Sequence, residues 1–369
     1  MIAFTPTEEQ RMITDSVAAF ARDAMVPRAR DADEAGAVPA DVIATGWDLG
    51  VVQGTIPEEY GGFGTPRSAV TGVLVAEELG YGDLSMALHL LAPRLLAQPV
   101  LDYGTPAQKE RYLNALAAGG HRPVTAAVME PRVDFDLAAL SATATRMGSE
   151  WVVSGEKCLV PLGSTAETIL VYATTDPTGG YEAVQGFLID RDTPGLTVGE
   201  PEKNMGLRAL DTTEVTLAGC RIPEESRLGG EKGCDFERVM DASRLALGAL
   251  AVGVARAAYE YARDYAKERK AFGRAIAQNQ AIAFMLAEMA IEIDAVRLLL
   301  WEAAWKFDQG DRTVRETYLA KRYAADMALK VTDNALQVLG GHGYIRDYPV
   351  ELWLRNARGF ASFEGLAIV

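Results

Sequence analysis

The sequence predicts an α+β protein in which a β region stands between two helical regions. Three observations lead there. Apolar residues recur with the helical period of 3.6 up to about residue 121. Short β-prone runs, separated by Asp, Pro and Gly clusters, then fill about 122 to 222, and long helical periodicity returns from about 235 onward. The predicted divisions are 1–121, 122–225 and 226–369.

The elements follow in chain order. Thr7-Glu8-Glu9-Gln10 is a helix start, with apolar residues returning at Met12, Val17, Phe20 and Ala21. Pro57-Glu58-Glu59-Tyr60-Gly61-Gly62-Phe63-Gly64 breaks the period and reads as a loop. Helices resume from Val70 to Leu79 and from about Leu84 to Leu101, and Thr105-Pro106-Ala107-Gln108 opens a further one. In the middle, Trp151-Val152-Val153, Thr168-Ile169-Leu170-Val171-Tyr172 and Gly186-Phe187-Leu188-Ile189 read as short strands of a small barrel or sandwich. Pro223 closes that region. From Ala281 to Leu300 apolar residues cover almost every side, so this helix is expected at the centre of a helical bundle. Gly310 and Gly340-Gly341 mark turns.

Composition bounds the function. A chain of 369 residues can hold two or three domains and bury a large core, and 49% hydrophobic with 24% charged residues is ordinary for a soluble globular protein. The net charge of −15 argues against a nucleic-acid surface, which needs a basic footprint, but allows a local cluster of donors for an anionic cofactor. Cys158, Cys220 and Cys234 are odd in number and lack metal-ligand spacing. His89, His121 and His342 make no zinc motif, so no metal is expected. No basic-then-apolar leader is visible, and the longest apolar run, Leu245 to Ala255, is too short to span a bilayer. A cytoplasmic protein with neither a nucleic acid nor a membrane as partner is expected.

One carboxylate stands in an apolar stretch, Phe363-Glu364-Gly365-Leu366-Ala367-Ile368-Val369. It reads either as a solvated residue on a fraying tail or as a desolvated general base, because loss of water strengthens a carboxylate as a proton acceptor. Upstream lie Gln337-Val338-Leu339-Gly340-Gly341-His342-Gly343-Tyr344 and Asp347-Tyr348-Pro349-Val350-Glu351. Pro57–Gly62, Gly155-Glu156-Lys157, Pro194-Gly195-Leu196, Gly206-Leu207-Arg208 and Glu268-Arg269 before Phe272-Gly273 complete the pattern. In this order and spacing the chain resembles the acyl-CoA dehydrogenase family over nearly its whole length. The resemblance implies the acyl-CoA dehydrogenase fold: a helical N-terminal domain, a middle β-barrel domain of antiparallel strands and a C-terminal four-helix bundle.

It also implies a chemistry, the FAD-dependent α,β-dehydrogenation of an acyl thioester on coenzyme A or an acyl carrier protein, with Glu364 as the base. An electron-transfer flavoprotein is the candidate acceptor. Some relatives carry the base on a helix before an arginine; here that arginine matches Arg244, preceded by Ser243, which cannot serve. Arg244 is therefore expected beside the substrate, although alone it reads equally well as a helix-surface salt bridge.

By the same resemblance Arg269, Phe272, Gln280, Gln337, Gly340 and Gly341 reach across an interface and hold a neighbouring subunit's FAD, so a homo- or hetero-oligomer is expected. Taken alone, Arg269 and its neighbours read as a basic helix C-terminus, and the glycines as helix terminators. The two glutamines need partners if they are buried.

The residues matched to a subunit's own flavin differ. The family pattern Thr-Glu-Pro-Gly-Ala-Gly-Ser-Asp falls on Met129 to Asp136, and Trp-Ile-Thr-Asn falls on Leu159 to Leu162. The threonine after Glu-Gly is Leu366. Met129, Phe135, Leu159, Pro161 and Leu366 thus replace hydroxyls, small residues and a tryptophan, and Asp134 adds a negative charge. Three readings follow: an ordinary dehydrogenase, a flavin-poor partner subunit of a hetero-oligomeric one, or a redox-inactive member that uses Glu364 for proton transfer only.

Overall fold

The computed structural model describes residues 4–369. Thr7 caps the first helix, α1 (Glu8–Phe20), with a capping box to Gln10, as the sequence predicts. Short α2 (Ala29–Ala35) and α3 (Ala40–Asp48) lead to the Pro57–Gly64 loop, and Ser68 then caps α4 (Ala69–Gly82). The segment read as one helix from Leu84 to Leu101 is two, α5 (Leu84–Leu91) and α6 (Arg94–Tyr103). Pro93 between them has no N–H to continue the helix, so the chain restarts there. By length and composition Leu84–Tyr103 could cross a bilayer, but 89% of it is buried in the fold. Thr105 forms a second capping box and opens α7 (Pro106–Ala117).

The middle region contains β1 (Val124–Ala127), β2 (Thr143–Met147), β3 (Glu150–Pro161), β4 (Thr168–Thr174), β5 (Val184–Asp190), β6 (Leu196–Val198) and β7 (Thr212–Pro223). A single turn, α8 (Gly180–Ala183), precedes β5. The sheet is mixed rather than antiparallel, because β1 and β2 both pair parallel with β4. Its order is β1-β4-β2-β3-β7-β6, with β5 antiparallel to β4, and this path does not close into a barrel. Two register shifts between β3 and β7, at Val153/Gly155 and at Lys157/Val160, bend the long strand where its far end meets the helices.

Lys157, from the Gly155-Glu156-Lys157 motif, holds that bend in place. Its ammonium is fully buried, 3.0 Å from Glu130 and 3.1 Å from the Val128 carbonyl. Glu130 also accepts from the Ser141 and Ala142 N–H groups. Burial favours its neutral form, but Lys157 and these donors outweigh that and keep Glu130 below the usual carboxylate range. The segment just before Glu130, Val128–Met129, is thereby fixed where it meets the C-terminal tail at Glu364 and Gly365.

The last region holds α9 (Phe236–Glu268), a tiny hairpin of β8 (Lys270–Ala271) and β9 (Arg274–Ala275), α10 (Gln280–Asp308), α11 (Val314–Leu339) and α12 (Val350–Ala357). Three long helices and the eight-residue α12 make up the bundle. Its centre is α9 rather than α10: residues Leu245 to Ala255 of α9 are buried against α4, α10 and α11. Only one face of α10 is covered, through Leu286, Met289, Ile293, Val296 and Leu300. Phe284, Ile291, Leu298 and Leu299 on its other side are exposed in the single chain. Apolar residues all round α10 therefore give it two apolar faces, of which the chain itself covers one.

Candidate active site

Glu364 is not on a fraying tail. Residues 366–369 are buried, and the turn that sends them inward is made at Gly365, with φ +67°. A Cβ at Gly365 would stand 2.5 Å from Cγ2 of Val128, so only glycine fits where the tail crosses the β region. This turn aims the Glu364 side chain into the protein, where it is 16% exposed. Its backbone N–H donates to the Met129 sulfur at 3.5 Å.

Two cations meet the carboxylate. Lys321 of α11 donates from Nζ to Oε1 at 2.9 Å, and Arg244 of α9 brings Nε to 3.9 Å from Oε2. Oε2 is buried with no hydrogen-bond partner among the described residues. Arg244 is likewise buried, so the helix-surface salt bridge fails as a description. Its Nη1 donates to Asp241 at 3.2 Å and its Nη2 to the Tyr181 hydroxyl at 3.3 Å, and its guanidinium lies 5.7 Å from the Tyr318 ring centre. Burial alone would lower the Arg244 pKa, but Glu364, Tyr181 and Asp241 raise it above its ordinary value. Burial raises the Asp241 pKa, even though the Thr313 and Thr317 hydroxyls donate to it at 2.9 and 2.7 Å and act in the other sense. Ser243, beside Arg244, is buried, and its hydroxyl has no partner among the described residues.

Lys321, Asp241, Thr313, Thr317 and Tyr181 were not singled out in the sequence. Lys321 did leave a signal. It lies on the buried stripe of α11 with Thr317, Ala324, Ala328 and Val331, where a lysine must find a partner. The pairing with Glu364 supplies it.

The residues expected to reach a neighbour's FAD lie at the opposite end of the bundle. Arg269 ends α9, and Gly340 ends α11 with φ +58°. Together with Gly341 they line a cavity of about 300 Å³ that also includes Tyr265, Ile276 and His342. The Arg269 guanidinium makes no hydrogen bond or ion pair among the described residues, and a Cβ at Gly340 or Gly341 would meet nothing within 4 Å. Gln337 is exposed one turn earlier on α11. Phe272 at the hairpin tip is fully exposed with φ +53°, and Gln280 at the start of α10 is also exposed; neither lines the cavity. Neither glutamine is buried, so no partner within the chain is required. A free guanidinium beside bare backbone suits a pyrophosphate.

The opposite holds for the wall expected to face the chain's own flavin ring. Leu159 sits at φ +51° and Leu162 at φ +55°, a conformation that β-turn and functional loops hold at a cost in strain. The Leu159 N–H is taken by Glu202 Oε1 at 3.2 Å, and Pro161 has no N–H to offer. Met129 and Leu366 are buried, and Phe135 packs on the main core. The cavity between Leu159, Leu207, Phe363 and Leu366 is about 250 Å³. That is below the ~300–1,000 Å³ usual for cofactor pockets. Where a pyrophosphate would approach, Arg132 is already tied to Glu130 and the Asp134 carboxylate is exposed. The residues thus fit the adenine and pyrophosphate half of FAD at the Arg269 edge, and do not fit the flavin ring at the Leu159 wall.

These three regions, in this order, are matched by known proteins. The acyl-CoA dehydrogenase N-terminal domain matches residues 7–120, its middle domain 125–220 and its C-terminal domain 235–367. The chain belongs to the acyl-CoA dehydrogenase family. It is 37% identical over 369 residues to a probable acyl-CoA dehydrogenase of Bacillus subtilis, YngJ, across 98% of this chain and 96% of that protein. Butyryl-CoA dehydrogenase from Megasphaera elsdenii is similar in structure, with TM-score 0.88 and 31% identity over 97% of this chain and 95% of that one. PigA, solved with FAD and proline, superposes with TM-score 0.90 at 27% identity, over 98% and 95% of the two chains.

Proposed function

We propose that this chain serves the α,β-dehydrogenation of an acyl thioester, with FAD as the redox cofactor and Glu364 as the base that takes the α-proton. The observation that carries the reading is the half-satisfied carboxylate. Oε1 is held by Lys321, while Oε2 is buried, unpartnered and turned toward Arg244. Oε2 is then the oxygen that accepts the proton, and the ion pair fixes its direction. Positioning of this kind, with water largely excluded, is what a general base needs. Arg244, itself held by Asp241 and Tyr181, stands beside the reacting carbon as a fixed positive charge. The thioester is carried on coenzyme A or an acyl carrier protein, and an electron-transfer flavoprotein is the proposed electron acceptor.

Glu364→Gln keeps the shape and removes the basicity. It is expected to slow exchange of the substrate α-proton with deuterated water by at least ~10², with thioester binding retained. Exchange at the normal rate would place the base elsewhere.

A second reading is favoured by one observation, the contrast between the closed Leu159 wall and the open Arg269 edge. In it the chain holds little flavin itself and lends Arg269, Gln337, Gly340 and Gly341 to a flavin-competent sister chain in a hetero-oligomer. The visible spectrum separates the two. About one flavin per chain in the purified homo-oligomer favours the first; a colourless chain recovered with a yellow partner favours the second. A colourless chain that still exchanges α-protons would be a proton-transfer member of the family.

A further inference from the structure

A second cluster of unmet polar groups lies in the N-terminal region, on a different set of elements from Glu364. Arg94, the first residue of α6, is 6% exposed. Its Nε is buried without an acceptor, and its guanidinium makes no ion pair or hydrogen bond among the described residues. Burial, and then the neighbouring Arg67, push its pKa down to about 10, and Arg67 is itself paired with Asp102. A guanidinium withdrawn from water without a counter-charge destabilises a fold, so such groups are found where an anion comes to them.

Arg94 lines a cavity of about 230 Å³ between α1, α4 and the loop that follows α3. Thr55, Thr65, Ser68 and Thr71 line it as well; Ser68 Oγ is spent on the Asp308 carboxylate at 2.8 Å, while two of the others are placed to donate. Thr55 Oγ1 accepts from Gln98 Nε2 at 2.6 Å, and Thr71 Oγ1 accepts from Gln10 Nε2 at 3.2 Å. Each oxygen is engaged as an acceptor, which leaves the hydroxyl proton free for a ligand. The rest of the wall is mainly apolar, with Val17, Val51 and Val75 on it. For scale, a dry cavity of about 150 Å³ takes a benzene ring. One strong cation, two hydroxyl donors and an apolar wall describe a seat for an anionic head on a hydrocarbon tail.

We propose that this cavity binds a carboxylate carried on a short apolar chain, with Arg94 as its counter-ion. The ligand is either a free carboxylic acid or the far end of a dicarboxylic acyl thioester, and the site stands whether or not Glu364 is the base. Thermal unfolding and calorimetry of the full-length protein with hexanoate, hexanoyl-CoA and adipyl-CoA test it, alongside Arg94→Met. That variant fills a similar volume and removes the unpaired charge, so it is expected to fold and to melt no lower than the parent without ligand. If the variant fails to fold, Thr55→Val is the second probe, with at least a threefold loss of affinity expected. Hexanoate that binds the parent at least tenfold more tightly than the variant supports a free-acid site. Adipyl-CoA favoured over hexanoyl-CoA only while Arg94 is present supports the dicarboxylic source. Equal behaviour of parent and variant toward all three ligands overturns the proposal.

Discussion

Lys321→Met tests the pair that orients the proposed base. In the folded protein the two charges are 2.9 Å apart, with side-chain exposures of 8% for Lys321 and 16% for Glu364. Removing one member of a fully buried pair typically costs about 3–5 kcal/mol, because the other charge is left without compensation. Two features reduce that here. Glu364 keeps some solvent contact, and Arg244 remains 3.9 Å from its second oxygen. A loss of roughly 1–3 kcal/mol is therefore expected for the single variant. Single variants also carry repacking effects, so the informative quantity is the coupling in a double-mutant cycle with Glu364→Gln. Urea unfolding of the parent, both single variants and the double variant at neutral pH gives it, and a coupling of about 1–2 kcal/mol is expected. A coupling below about 0.3 kcal/mol, within ordinary additivity, would show that the two side chains do not pair in solution. Lys321 would then not be what directs the free oxygen.

Three further perturbations address other parts of the structure. Leu159→Trp with Pro161→Thr returns a ring-flanking face and a hydrogen-bonding group to the closed wall. Flavin absorbance per chain is expected to rise, each restored polar partner contributing roughly 1 kcal/mol, and an unchanged spectrum would mean that the wall does not limit binding. Gly365→Ala places a Cβ at φ +67° and 2.5 Å from the Val128 side chain. A stability loss of about 1–3 kcal/mol is expected together with slower α-proton exchange, and normal exchange would show that this turn does not aim Glu364. Asp83 caps α5 by accepting from the Met86 N–H, and burial lifts its pKa to about 6. Because the folded state then binds the proton more tightly than the unfolded one, Asp83 costs stability above pH ~6, and the cost fades as pH falls toward ~4. Asp83→Asn keeps the cap without the charge, so its stability advantage over the parent is expected at pH 7 and should shrink by pH 4. An advantage that does not vary with pH would contradict the burial argument.

Much of the layout was legible in the chain because it rests on local physics. The capping boxes at Thr7 and Thr105 show what a hydroxyl three residues before a glutamine does wherever it sits. The strands around Trp151, Thr168 and Gly186 follow from β-branched runs between turn residues. Periodicity does not carry position. Apolar cover on all sides of α10 suggested the centre of the bundle, but hydrophobicity records that a face is covered, not by which element. In the single chain α9 holds the centre, and half of α10 faces outward. The parallel pairing of β1 and β2 with β4 was hidden for a similar reason, since strand direction within a sheet leaves no mark on a four- or five-residue run.

By itself the sequence determined the three-part division, the helix starts, the loop glycines and the identity of the one carboxylate worth testing. Each follows from the preferences of residues for their immediate neighbours, or from a motif whose order survives in the chain. Tertiary structure alone decided that Glu364 is turned inward and only 16% exposed, that Lys321 and Arg244 meet it, and that Asp241 and Tyr181 hold Arg244 in place. It also brought Arg269 together with Gly340 and Gly341, residues that arrive from the ends of two different helices. These are contacts between side chains distant in sequence. Their energies depend on separation and dielectric in three dimensions, and no local pattern carries either quantity.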